Sequence, residues 1–146
     1  MIRPAARADA PAVAAVVAAA YTHYIARIGK PPGPMNDDYT ARIEAGQTWV
    51  LENNGEIAGI LVLEETPAGF LLDNIAVHPD HHGQGLGRRL IAFAEAEASR
   101  RGYDAIILYT HEKMTENIAL YTRLGFAETA RIEEKGFSRV YMRKSL

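Results

Sequence analysis

Glycine stands at positions 83, 85 and 87, inside a stretch that reads His78, Pro79, Asp80, His81, His82, Gly83, Gln84, Gly85, Leu86, Gly87, Arg88, Arg89. An apolar, extended run from Phe70 to Val77 precedes it, and a helical pattern begins at Leu86. Alternate glycines at such a junction let main-chain amides approach a ligand closely. A helix start adds unpaired N–H groups and the positive end of a dipole, so the combination makes an anion cradle, with Arg88 and Arg89 supplying charge beside it. The chemistry it points to is the grip of a phosphate or diphosphate. The plain alternative is a loop that uses glycine only for its own bends.

Two other phosphate patterns fit poorly. A P-loop needs a lysine followed by serine or threonine after its last glycine, where this chain has Arg88 and Arg89. A dinucleotide fingerprint needs glycine at Arg88 when counted from Gly83, or at Leu90 when counted from Gly85. The clustered His78, His81 and His82 raise the question of zinc. No metal is expected, because histidines so close on a loop that must wrap an anion cannot also converge on one ion, and the chain has no cysteine to complete a tetrahedron.

The elements that must position this turn follow from the changes of period. After an extended start at Ile2 to Pro4, Asp9 offers an N-cap, and Val13, Val16, Val17, Tyr21, Tyr24, Ile25 and Ile28 recur at the spacing of one amphipathic helix, whose many alanines read as close packing against a sheet. Pro31, Pro32 and Pro34 break it, and Asn36 to Ala45 reads as a shorter helix. Thr48 to Glu52 and Ile57 to Leu63 form a hairpin around Asn53, Asn54 and Gly55. The run Phe70 to Val77 reads as a central strand buried on both faces. A helix from Leu86 to Arg101 ends at Gly102, and Ala105 to Tyr109 makes a further strand, so strand, helix and strand imply a parallel pair. Thr115 caps a last helix to Leu124, closed by Gly125, and Phe126 to Ile132 and Phe137 to Arg143 pair as a hairpin turning at Lys135 and Gly136.

Composition excludes several classes. A chain of 146 residues, 48% hydrophobic, builds one ordinary core, and no linker, repeat or low-complexity tract marks a second domain. A net charge of -2 argues against general nucleic-acid binding, so any phosphate site is local. The absence of cysteine fits a reducing, cytoplasmic setting. The apolar stretch Val13 to Tyr21 is too short to span a bilayer, which excludes a membrane partner.

The turn from Leu72 to Leu90, together with Leu120, Tyr121, Thr122, Arg123, Leu124, Gly125, Phe126 at a later helix end, resembles the GNAT superfamily of N-acetyltransferases. The resemblance covers most of the chain, and the pair of motifs is more specific than either alone. It implies a mixed α/β (α+β) fold, a single domain over residues 1–146, with a central, mostly antiparallel sheet of six to seven strands splayed at a parallel pair and flanked by about four helices. It implies acetyl-CoA as cosubstrate and an amine of a small molecule or peptide as acceptor. The backbone from His82 through Gly83, Gln84, Gly85, Leu86 and Gly87 to Arg88 would hold the diphosphate, and the main chain of Ile75, Ala76 and Val77 would hydrogen-bond the pantetheine arm. His82 stands where arginine or glutamine is usual. The familiar asparagine of the later helix falls on Met114, with Asn117 as a substitute contact or an aid to the cap.

Attack of an amine on a thioester needs an oxyanion donor, a route for the amine proton and help for the leaving sulfur. A backbone N–H between Ile75 and Val77 would serve the first, and by the resemblance Tyr121 would protonate the sulfur; by itself it would read as a packing aromatic. An alkyl ammonium with a pKa of about 10.4 must lose a proton before attack. Asp73 and His111, at strand ends, are the favoured acceptors, with Glu64 and Glu65 behind them. The loop carrying Met35, Asp37, Asp38 and Tyr39 would border the acceptor pocket and attract a cation, although a surface loop needs no such role. A homodimer through the closing hairpin is compatible. A non-catalytic acyl-CoA sensor of the same fold and a nucleotide-binding module are the rival readings.

Overall fold

The changes of period become elements in the expected order. The computed structural model describes residues 1–146. Strand β1 (Ile2–Pro4) leads through a 3-10 turn (Arg7–Asp9) into α1 (Ala10–Tyr21) and α2 (Tyr24–Ile28), and a second 3-10 turn (Gly33–Asn36) precedes α3 (Tyr39–Glu44). Then come β2 (Thr48–Asn53), β3 (Glu56–Thr66), β4 (Gly69–Val77), α4 (Leu86–Arg100), β5 (Ala105–His111), α5 (Thr115–Arg123), β6 (Ala127–Glu134) and β7 (Phe137–Ser145). The seven strands follow the order β1-β2-β3-β4-β5-β7-β6. Pairing is antiparallel for β1 with β2, β2 with β3, β5 with β7 and β6 with β7, and parallel for β4 with β5. No helix is long and apolar enough to cross a membrane.

The chain packs as two compact units, Met1–Leu63 with Asn74–Ala94 and Glu64–Asp73 with Glu95–Leu146, so β3, β4 and α4 each contribute residues to both. In the first unit Val13, Val16 and Val17 of α1 are buried, as are Val50, Leu51, Ile60 and Leu61 of the strands. Leu86, Leu90, Ile91 and Ala94 form the buried stripe of α4 in this unit, at helical spacing. The hairpin between β2 and β3 turns through Asn54 and Gly55 with φ of 55° and 80°, two left-handed residues in succession, which matches the twist of the strands it joins. Gly59 on β3 is a point of close approach: a Cβ there would meet Leu90 Cδ1 at 3.0 Å and the Ala76 carbonyl at 3.4 Å.

In the second unit β4 starts beside β5. Their ladder runs from Phe70 and Ile106 to Leu72 and Leu108, while β5 keeps its antiparallel pairing with β7 as far as His111 opposite Arg139. The expected splay takes this form, a parallel pairing much shorter than the strand that carries it. Tyr121 and Phe126 flank the end of α5 and are buried.

Several expectations are corrected. The first helix is two: Thr22 N–H still reaches the Ala18 carbonyl, but Ile25 N–H reaches back only to Thr22, and the regular ladder breaks between Tyr21 and Tyr24. With this division the chain has five α-helices, in keeping with the expectation of about four. Ala14, Ala15 and Ala18 face solvent, so the alanines supply helix propensity and the valines do the packing. Asp9 does not cap α1: its carboxylate accepts from Ala6 N–H and from Arg3, whose hydrogen bond holds the Asp9 carboxyl below its usual range. Thr115 is the first residue of α5, preceded by Met114, and its hydroxyl turns to Glu116. β4 is fully buried on one face only, at Phe70, Leu72, Asn74 and Ala76, while the alternate residues are half-buried.

The close contact at Gly59 generates a test. Leu90 is fully buried and has little room to withdraw, so Gly59→Ala is expected to lower unfolding stability by about 1–3 kcal/mol. Urea unfolding with an unchanged midpoint would show that the helix can shift at no cost.

Candidate functional site

The segment after β4 opens with a 3-10 turn, Pro79–His81, whose start is fixed by Asp80 N–H donating to His78 Nδ1 at 3.1 Å. Gly83 and Gly85 then adopt φ of 80° and 73°, the left-handed region that favours glycine. Gly83, Gln84, Gly85 and Arg88 are exposed, and Leu86 is buried and anchors the start of α4. The first backbone bond into α4 runs from Arg89 N–H to the Gly85 carbonyl at 3.2 Å, and the amides from Gly83 to Arg88 have no acceptor within the protein. A row of unpaired donors at the positive end of a helix can bind an anion.

The histidines go separate ways. His78 serves the 3-10 turn, His81 Nδ1 lies 3.2 Å from Asn53 Nδ2, and His82 Nε2 lies 3.2 Å from the Val77 carbonyl. No group of three or more His, Asp or Glu side chains is gathered to hold a metal ion. His82 therefore turns its ring back on the strand end.

The strand end has a definite sidedness. His78 N–H donates to the Ala58 carbonyl of β3 at 2.8 Å, and backbone groups alternate along a strand, so Ala76 also faces β3 while Ile75 and Val77 face the other edge. The Ala76 carbonyl near Gly59 agrees with that. The Ile75 carbonyl accepts from the Tyr21 hydroxyl (2.9 Å) and the Val77 carbonyl meets His82 (3.2 Å). Side chains, not a ladder, thus serve the carbonyls of this edge.

Tyr21 belongs to a buried polar chain. Its hydroxyl also lies 2.8 Å from Asn74 Oδ1; Asn74 Nδ2 donates to the Tyr39 hydroxyl at 2.9 Å, and Tyr39 donates to the Pro34 carbonyl. Asn74 is 3% exposed, so each of these bonds replaces water. Of the loop residues expected to border an acceptor, Tyr39 is buried with its hydroxyl in this chain. Asp38 is exposed and caps α3 by accepting from Ala41 N–H (3.1 Å), and Met35 is half-buried.

In the second unit Asp73 on β4 accepts from the Tyr109 hydroxyl of β5 at 3.3 Å, and the Arg139 guanidinium stands 4.3 Å over the Tyr109 ring. His111 is half-buried, with Nδ1 accepting from Lys113 N–H at 3.0 Å. Glu65 receives the Tyr103 hydroxyl and Arg101, which leaves it poorly placed to take a substrate proton. Tyr121 is 5% exposed, edge-on to Phe126 at 5.8 Å. Met114 is buried, and its sulfur meets Thr110 Oγ1 (3.5 Å) and Asn117 Nδ2 (3.7 Å).

The sequence places Asn53, Tyr21 and Tyr109 only in a turn, a helix and a strand, and gives neither them nor Asn74 a place in the site. A polar Asn74 inside the apolar run Phe70 to Val77 was the available clue, since a buried amide must find partners. The others have partners far along the chain and carry no local pattern.

A family model described as the acetyltransferase (GNAT) domain matches residues 44–128. N-acetyltransferase family 8 member 2 of Rattus norvegicus is 32% identical over 90 residues, 58% of this chain and 40% of that protein. The ribosomal protein bS18-alanine N-acetyltransferase of Escherichia coli K12 is 37% identical over 78 residues, 53% of each. These matches span about half the length of the curated relatives. In fold, the chain is similar to PaiA N-acetyltransferase of Thermoplasma acidophilum in complex with coenzyme A, with a TM-score of 0.82 at 17% identity over 100% of this chain and 98% of that one.

The buried polar chain makes its own prediction. Tyr39→Phe leaves Asn74 Nδ2 and the Pro34 carbonyl without their partner, so stability should fall by about 1–3 kcal/mol in urea unfolding. A phenylalanine variant as stable as the parent would mean that water already satisfies these groups.

Proposed function

Because this chain belongs to the GNAT acetyltransferase family, we propose that residues 1–146 form one N-acetyltransferase domain. It moves an acetyl group from acetyl-CoA to a primary amine of a small molecule or peptide, by direct attack in a ternary complex. The observation that carries this reading is the unpaired amide row from Gly83 to Arg88 at the start of α4. It is an anion site built from main chain, which suits a diphosphate and asks for no metal. The proposed setting is the cytoplasm.

Acetyl-CoA supplies the thioester, whose carbonyl carbon takes the amine lone pair and whose sulfur leaves. The amides of Gly83 to Arg88 bind the diphosphate; His82, expected to join them, spends its N–H on the Pro79 carbonyl at 3.2 Å. The N–H groups of Ile75 and Val77, on the strand edge away from β3, hydrogen-bond the pantetheine arm, and one of them steadies the oxyanion. Ala76 has the smaller share, since its groups face β3. As the C–N bond forms and the C–S bond breaks, the amine proton passes to Asp73 or His111, directly or through water, and the thiolate takes the phenolic proton of Tyr121. Tyr109 steadies the Asp73 carboxylate in that role. Asp38 attracts a cationic acceptor from its exposed place before α3, with Met35 and Tyr39 shaping that loop. Asn117 contacts the cosubstrate from α5.

Two measurements test the reading. Coenzyme A at about 100 times its Kd should stabilise the protein by about 2.7 kcal/mol, and ATP or NAD should not do so comparably. A match by either nucleotide would favour a nucleotide-binding module. With acceptor amines screened by free-thiol release, Tyr121→Phe should lower kcat by about 100-fold while affinity for acetyl-CoA is kept. Equal turnover of the two proteins would remove Tyr121 from the acid role, and no turnover by the parent with any amine would favour a sensor.

A further inference from the structure

The glycines of the turn have no packing of their own to hold them. A Cβ added at Gly83, Gly85 or Gly87 would meet nothing within 4 Å, and the backbone between the two left-handed glycines is exposed. Glycine loses more conformational freedom on ordering than any other residue, so such a loop is costly to fix when a ligand arrives. Something else must preset it.

The side chain in position to do so is Asn53. It ends β2, pairs with Glu56 across the tight turn at Asn54 and Gly55, and so stands on a rigid hairpin end. Its Nδ2 donates to Gln84 Oε1 at 2.8 Å and lies 3.2 Å from His81 Nδ1. The amide carries two hydrogens, so both bonds form together. A proton donated to Nδ1 places the imidazole's own hydrogen on Nε2, which lies 3.7 Å from Glu56 Oε2 of the same hairpin. Gln84 is the residue between Gly83 and Gly85, and His81 ends the 3-10 turn before them. One side chain therefore clasps the loop on both sides of Gly83.

We infer that Asn53 is a positioning residue for diphosphate binding: it presets the amide row through Gln84 and His81, although it touches no substrate itself. The inference rests on the acetyl-CoA reading above. Ordering cost removed in advance returns as affinity, and only for ligands that use the loop. Asn53 therefore acts on the diphosphate end of the cosubstrate and not on the thioester end.

The experiment is calorimetric titration of the parent, Asn53→Ala and Gln84→Ala with coenzyme A, paired with turnover of S-acetylpantetheine, which carries the thioester and no phosphate. Asn53→Ala should weaken coenzyme A binding about fivefold to tenfold, as expected for the loss of a pair of hydrogen bonds. S-acetylpantetheine should be used as well as by the parent. Gln84→Ala, changed at an exposed side chain, should reproduce most of the loss, and the double variant should add little to it. Coenzyme A affinity within twofold of the parent in both single variants overturns the inference, and so does an equal loss for S-acetylpantetheine, which would signal general distortion. A parent that binds no coenzyme A overturns the acetyl-CoA reading itself, a result distinct from variants that bind as well as the parent.

Discussion

A main-chain N–H that no carbonyl meets is tolerated only where water or a ligand can reach it, and α4 begins with a run of them. Everything around that run serves to keep it exposed and in place. The helix cannot drift, because Leu86, Leu90, Ile91, Ala94 and Ala98 bury one continuous stripe along it. Its distance from the sheet is set at Gly59, where the lack of a Cβ lets Leu90 lie almost on β3. Gly83 and Gly85 then bend the chain through the left-handed region before the helix begins. In the free protein water can serve these exposed donors, and an anion that accepts several of them at once replaces it.

The second constraint is the sidedness of β4. Its parallel ladder with β5 ends at Leu72, and beyond that point the carbonyls of Ile75 and Val77 are served by Tyr21 and His82. A strand released from its neighbour would ordinarily be free to re-pair. Here Tyr21, from the end of α1, holds the strand through Asn74 and Ile75 together, and Asn74 passes the connection to Tyr39 and the proline-rich loop. The strand and the loop that precedes α3 are thus fixed to one another by polar bonds that pair Tyr21, Asn74 and Tyr39. Thr48 Oγ1 is the buried side-chain atom that lacks a partner, and nothing in its surroundings explains it.

What could be read from sequence divides along physical lines. The glycine turn, both hairpins and the parallel pair were legible because each is written in neighbouring residues: left-handed positions at Asn54, Gly55, Lys135 and Gly136, and a change from strand to helical period and back around Leu86. The break after Thr22 was not, since Val13 to Ile28 keeps its apolar spacing straight through it. Alanine was misread on α1 because the same side chain serves close packing and bare helix propensity, and only tertiary structure separates the two. Asn53 and Asn74 were invisible for a third reason. Their partners lie 31 and 53 positions away at Gln84 and Tyr21, and no periodicity reports a bond of that range.

The position of Met114 shows how a departure from the family pattern can be absorbed. The resemblance leads one to expect an asparagine there, a polar group able to reach a bound cosubstrate. Methionine instead is 3% exposed, and its sulfur accepts weakly from Thr110 and Asn117. A flexible thioether fills an irregular gap and tolerates such contacts, so the start of α5 loses a polar reach and gains a packed anchor. Asn117 is not a simple replacement, because its amide is drawn toward that sulfur at 3.7 Å, a weak bond that a better acceptor could displace. A cosubstrate carbonyl or phosphate would be such an acceptor. If Asn117 makes that exchange, the polar contact has moved one turn along the helix, and binding at this end of the site is bought by breaking the contact with Met114.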